Sequence, residues 1–91
     1  MSLRELDPKT ALEAVQSNEA ILIDVREPRE YASERIHGAL LFPLSSFDPA
    51  ALPIDKTREV IFHCGSGKRS ADAVARCEAA GVPITTHVRG G

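Results

Sequence analysis

Cysteine is scarce in this chain. Two residues in 91 are too few to staple a small secreted scaffold, so nothing points to an oxidising compartment. Positive charge is not in excess either. Lys and Arg number 11 against 13 Asp and Glu, for a net charge of -2. That balance argues against nonspecific nucleic-acid binding, which draws most of its strength from cationic surplus. No apolar run approaches the roughly 20 residues needed to cross a bilayer. The opening MSLRELDPKT holds no apolar stretch of the kind a secretory signal carries. Internal repeats, low-complexity tracts and interdomain linkers are also missing. The expectation is one small domain over residues 1–91, cytoplasmic or forming the cytosolic part of a longer, membrane-attached protein.

What is present alternates between two periods. Asp7-Pro8 suits a helix start, since Asp can cap and Pro fits the first helical position. Ala11, Leu12, Ala14 and Val15 then form a short apolar stripe ending near Gln16. Residues 20–23 (AILI) form an apolar run that fits a strand buried on both faces. The pattern predicts a short helix over 28–33, a strand over 39–42 stopped by Pro43, and a loop with one helical turn over 44–56. It then predicts a strand over 60–63, a helix over 70–80 that Gly81 can end in a left-handed cap, and a strand over 85–88. Strands alternating with helices indicate an α/β domain with a mainly parallel sheet.

The most informative stretch is HCGSGKRS, residues 63–70, between a buried strand and an amphipathic helix. Ligands bind at the carboxyl ends of strands in open parallel sheets. Two glycines let the chain curl so that consecutive amides approach one point, a nest that attracts anions. The helix that follows adds its positive end, and Lys68 and Arg69 add formal charge. All of these favour a negative charge at the Cys64 sulfur, and the thiolate is the nucleophilic form.

HCGSGKRS resembles the active-site loop of the rhodanese-like sulfurtransferases. LIDVREPREYASERIHGALLFPL is similar to that family's early D-V-R, E-Y and H-I-x-G-A pattern, and HVRGG is similar to its last strand and Gly-Gly. The blocks follow in family order over nearly the whole chain. The resemblance implies a rhodanese-like fold, a small parallel sheet flanked by helices. It also implies a final helix after Gly91, so this chain is expected to be a fragment of a longer one or to end where order was lost, with one sheet flank less covered and open to a protein sulfur acceptor or a dimer partner. The implied chemistry is sulfur transfer. Cys64 takes the outer sulfur of thiosulfate or a persulfide and passes it to a thiol, a protein thiol or cyanide. Gly65, Ser66, Gly67, Lys68, Arg69 and Ser70 cradle that sulfur, with Lys68 and Arg69 attracting the charged donor. Asp24 and Arg26 brace the loop. No metal, organic cofactor or nucleic acid is implied.

Two other readings share the loop. A persulfide sensor or docking module would keep the same cysteine and cradle without turnover. Cysteine-dependent phosphatases and arsenate reductases place an arginine six positions after the cysteine. Here that position is Ser70, and Arg69 comes one early. Arg35 and His37 stand where the family often has His and Pro, so His37 is expected to be a turn residue. Cys77 lies about 10 Å along the helix from Ser70 at 1.5 Å per residue, so it is expected to be a buried structural thiol. His37, His63, Cys64, Cys77 and His87 lack the close paired spacing of a zinc site. Gly90-Gly91 invites comparison with ubiquitin-like sulfur carriers, but the rhodanese pattern accounts for both glycines.

Overall fold

The first turn of structure is set by a single side chain. Asp7 accepts a hydrogen bond from the Thr10 amide at 2.8 Å, and Pro8 supplies a preset φ, so helix α1 runs Pro8–Gln16. The computed structural model describes residues 4–53 and 57–88. Its other elements are β1 (Arg4–Leu6), β2 (Ala20–Asp24), α2 (Pro28–Ser33), β3 (Leu40–Leu41), β4 (Glu59–His63), α3 (Lys68–Ala79) and β5 (Thr86–Val88). Two 3-10 turns, Leu44–Ser46 and Pro49–Ala51, occupy the proline-rich stretch.

The five strands form one sheet in the order β1-β5-β4-β2-β3, and every pairing is parallel. The expected α/β class with a parallel sheet is therefore observed. Strand β1 was not anticipated. Its three residues, Arg-Glu-Leu, carry no strand signal of their own and gain their pairing from β5. Strand β3 is two residues long where the apolar run suggested four. Helix α3 begins at Lys68, two residues before the expected start.

The core lies on both faces of the central pair β2 and β4. On one face Ile23, Val25, Val60 and Phe62 pack with Ala73, Val74 and Cys77 of α3. On the other, Ala20, Leu22, Ile61 and Val88 pack with Ala11 of α1, and Tyr31 of α2 lies against them. Alternate residues of β2 and β4 thus serve different clusters, which is why both strands read as unbroken apolar runs. Helix α3 ends as the sequence suggests. Gly81 has φ +75, its amide donates to the Glu78 carbonyl, and the Val82 amide donates to the Cys77 carbonyl, a Schellman closure.

Chain direction fixes where a site can form. After β2 the chain moves through α2 to the β3 edge, and after β4 it moves through α3 towards β5. The carboxyl ends of the neighbouring strands β2 and β4 therefore open onto a crevice between connections that diverge. Among the described residues, Leu12 and Leu40 are the large apolar side chains left substantially exposed. No helix of the described residues is long and apolar enough to cross a membrane. Gly90 and Gly91 lie outside the described residues.

Truncating Ile23, fully buried at 0% exposure, to Ala should cost about 2–5 kcal/mol in urea unfolding. Leu12→Ala, at 42% exposure, should stay within about 0.5 kcal/mol.

Candidate active site

Cys64 follows β4 directly and is buried, with 1% of its surface exposed. Its sulfur is the focus of the turn that follows. The Gly67 amide donates to Sγ at 3.0 Å and the Ser70 amide at 3.3 Å. Ser70 Oγ stands 3.6 Å from the same sulfur. Gly67 makes the curl possible with φ +90, a conformation that costs a side-chain-bearing residue about 1 kcal/mol or more. It is also the N-cap of α3, so the Ser70 amide is one of the first-turn donors that a helix leaves without an internal partner. The sulfur supplies that partner.

Burial raises the Cys64 pKa, as it does for any buried thiol. Hydrogen bonds from the Ser70 hydroxyl and from the amides of Ser70, Ser66 and Gly67 outweigh it, and the net shift is downward. Cys77 shows the contrast. It is also buried, burial pushes its thiol up to about 11, and it packs in the apolar cluster under α3. Both cysteines are free thiols.

Cys64 also lines a cavity of about 400 Å³, together with Arg26, Glu34, Arg35, Ile36, His63 and Gly65. Arg35 was expected to matter only as a departure from the family pattern. It reaches this cavity from the segment after α2, its guanidinium carbon 4.7 Å from the centre of the Tyr31 ring. Tyr31 in turn donates its hydroxyl to the Ala39 carbonyl.

Asp24 and Arg26 sit beside the loop but hold each other first. Both Asp24 carboxylate oxygens accept from Arg26, with contacts between 2.9 and 3.1 Å. Asp24 is fully buried, and His63 Nε2 lies 3.3 Å from its Oδ2. Arg26 also donates to the Glu34 carbonyl at 2.6 Å. The pair thus ties the end of β2 to the chain leaving α2, and its carboxylate lies beside His63, the residue before Cys64.

Lys68 is exposed, and it does not line the cavity. Arg69 is engaged by a carboxylate. Its guanidinium makes paired contacts to Glu30 of α2, at 2.7 and 3.1 Å. Glu30 Oε1 also accepts the Glu27 amide, closing a capping box on α2. Gly65 leaves room for this arrangement, since a Cβ there would meet Arg69 Nη2 at 3.4 Å. The amides of Gly67 and Ser70 are thus brought to the sulfur by the backbone, while Arg69 is paired with Glu30 and Lys68 is exposed.

His87 received no role from its spacing in the sequence. In the fold it is buried on β5, with Nδ1 2.7 Å from Ser70 Oγ and Nε2 3.2 Å from a carboxylate oxygen of Glu5 on β1. Only the pairing of β5 between β1 and β4 brings these together, and β1 had no sequence signal. Among the described residues, no group of three or more His, Cys, Asp or Glu side chains is arranged to hold a metal ion.

The sequence pattern of the rhodanese-like domain matches residues 7–91. This chain belongs to the rhodanese-like family. It is 38% identical over 84 residues to an uncharacterized protein of Synechocystis, matching 92% of this chain and 47% of that protein. It thus spans about half the length of that relative. It is 31% identical over 90 residues to a protein of Allochromatium vinosum named sulfurtransferase, matching 98% of this chain and 84% of that one. A rhodanese-like domain protein from Staphylococcus aureus superposes with a TM-score of 0.80 at 26% identity, covering 98% of this chain and 87% of that one.

In this rhodanese-like domain the Arg69 pair holds the Glu30 carboxyl down at about 2, helped by the Glu27 amide. Such a carboxylate contributes stability that is present above its unfolded pKa of about 4.5 and lost as pH falls towards about 2. The pH dependence of the unfolding midpoint should therefore steepen between those values in the wild type and flatten in Glu30→Gln. Parallel curves would show that the pair does not hold α2 to α3.

Proposed function

We propose that this domain is a sulfurtransferase whose Cys64 carries sulfane sulfur as a persulfide. One observation supports this above the rest: a buried sulfur is held by converging amides, and its residue lines a cavity that also bears arginine. The Cys64 thiolate attacks the outer sulfur of thiosulfate. A new S–S bond forms on Cys64, the S–S bond of the donor breaks, and sulfite leaves with the bonding pair. A thiolate or cyanide then attacks the outer sulfur of the persulfide and regenerates the Cys64 thiolate. The amides that now meet Sγ are placed to serve the negative charge on the terminal sulfur, as an oxyanion hole serves oxygen. No metal or organic cofactor enters either step. A small sulfur donor and a thiol, protein-thiol or cyanide acceptor are the partners that this scheme requires, and a cytoplasmic setting suits a reactive thiol.

The cavity favours Arg35 and Arg26 over Lys68 and Arg69 as the charges that meet an anionic donor. Arg26 is already paired with Asp24, and Arg69 with Glu30. That leaves Arg35, against the Tyr31 ring, as the cation whose charge is directed at an incoming dianion. The same arrangement counts against phosphoryl chemistry. A phosphatase arginine must offer its fork to the phosphoryl oxygens, and the arginine of this loop offers its fork to a carboxylate.

Intact mass after brief thiosulfate treatment tests the reading directly. Wild type should gain one sulfur that cyanide removes, and Cys64→Ser should gain none. No gain on folded protein would refute the scheme. A persulfide that forms but turns over with no acceptor would favour a sensor instead. Arg35→Ala should raise the KM for thiosulfate about tenfold, equal to about 1.4 kcal/mol, while changing use of an uncharged persulfide donor far less. Equal losses for both donors would remove the charge role.

A further inference from the structure

Four side chains from four separate parts of the fold line up on one side of the sulfur. Cys64 Sγ stands 3.6 Å from Ser70 Oγ, and Ser70 Oγ stands 2.7 Å from His87 Nδ1. His87 Nε2 is 3.2 Å from Glu5 Oε2. Cys64, Ser70 and His87 are each almost fully buried, at 1%, 0% and 2% exposure. Strand register explains the outer end of the row. Glu5 of β1 is the direct cross-strand partner of His87, and Phe62 of β4 is its partner on the other side. The imidazole is thus flanked by a carboxylate and an aromatic ring, with the serine as its bridge to the sulfur.

We propose that His87 is a positioning residue for the Cys64 thiolate, accepting the thiol proton through Ser70 and holding it opposite Glu5. The proposal rests on the reading of Cys64 as the reactive thiol. In the resting thiol form, S–H points at Ser70 Oγ and the Ser70 hydroxyl donates to an unprotonated Nδ1, with the imidazole proton on Nε2 towards Glu5. Transfer moves two protons by one hydrogen bond each. The thiol proton goes to Ser70 Oγ, and the Ser70 hydroxyl proton goes to His87 Nδ1. The product is a thiolate that receives the Ser70 hydroxyl, an imidazolium whose Nδ1–H donates to Ser70, and Nε2–H facing the Glu5 carboxylate. No proton is lost to solvent and no electron changes owner.

The charges around His87 suit this exchange. Glu5 on β1 and the Cys64 thiolate at the end of β4 are both negative in the product, and both favour the imidazolium. Phe62 on β4 contributes no charge. On α3, Ser70 is neutral and the Arg69 guanidinium is matched by Glu30. Lys68, at the exposed start of α3, is the remaining cation of the loop.

The test reads protons rather than sulfur transfer, so its failure and the failure of the sulfurtransferase reading remain separate. The rate at which a neutral haloacetamide alkylates Cys64 is followed against pH, with the modified residue identified by peptide mass. In His87→Gln the rising limb should move up by about one pH unit, a loss of about tenfold in rate on that limb. An unmoved limb in folded His87→Gln would overturn the proposal. If that variant does not fold, wild-type protein decides through the imidazole nitrogen signals of His87. Alkylating Cys64 should change those nitrogen signals at fixed neutral pH, through the row of contacts from the sulfur to the ring. His87 signals indifferent to Cys64 alkylation would overturn the coupling.

Discussion

Removing a sulfur atom from water and then asking it to carry negative charge is costly, and only nearby donors can offset that cost. Here the donors are mainly backbone. Turning several N–H groups onto one atom requires the chain after β4 to reverse within a few residues. Gly67 supplies the left-handed step, and α3 begins at once so that its first-turn amides are still uncommitted. Much else follows from that requirement. The end of β4 must stay fixed, which the central position of the strand ensures. Helix α3 must keep its start in place, which the Arg69–Glu30 pair and the packing of Ala73, Val74 and Cys77 address.

The fold was legible where a buried pattern and a terminator occurred together. The strands expected over 20–23 and 60–63 have apolar stretches at 20–23 and 60–62, α1 has its Asp-Pro start, and α3 has its glycine stop. All four appear close to the expected places. Strand β1 was illegible because its pairing, and not its own residues, makes it a strand. Helix α3 starts two residues before the expected position because Lys68 and Arg69, good helix formers, extend it back to the Gly67 cap.

The candidate site was legible by position more than by role. Sequence order placed Cys64 and the residues after it in one turn, and the geometry puts Gly67 and Ser70 against its sulfur. Formal charge in the sequence does not say which group a cation of the loop will meet. Arg69 serves a carboxylate 39 positions away in the chain. Arg35 and His87 come from strands and turns whose proximity to Cys64 exists only after the sheet is assembled. The two cysteines make the same point from the other side. Both are buried, and donors to sulfur distinguish them: Cys64 has several, while Cys77 lies among apolar side chains and burial alone moves its pKa.

Among the described residues, the two border strands of the sheet, β1 and β3, are three and two residues long. An exposed strand edge is a template on which a foreign chain can add its own strand, and its hold grows with the number of free N–H and C=O groups in register. Borders this brief offer few such groups, and Pro43 follows soon after β3 to interrupt any extension. A parallel sheet ended in this way can be packed beside neighbours at high concentration, or joined to further domains, with little tendency to continue its ladder into them.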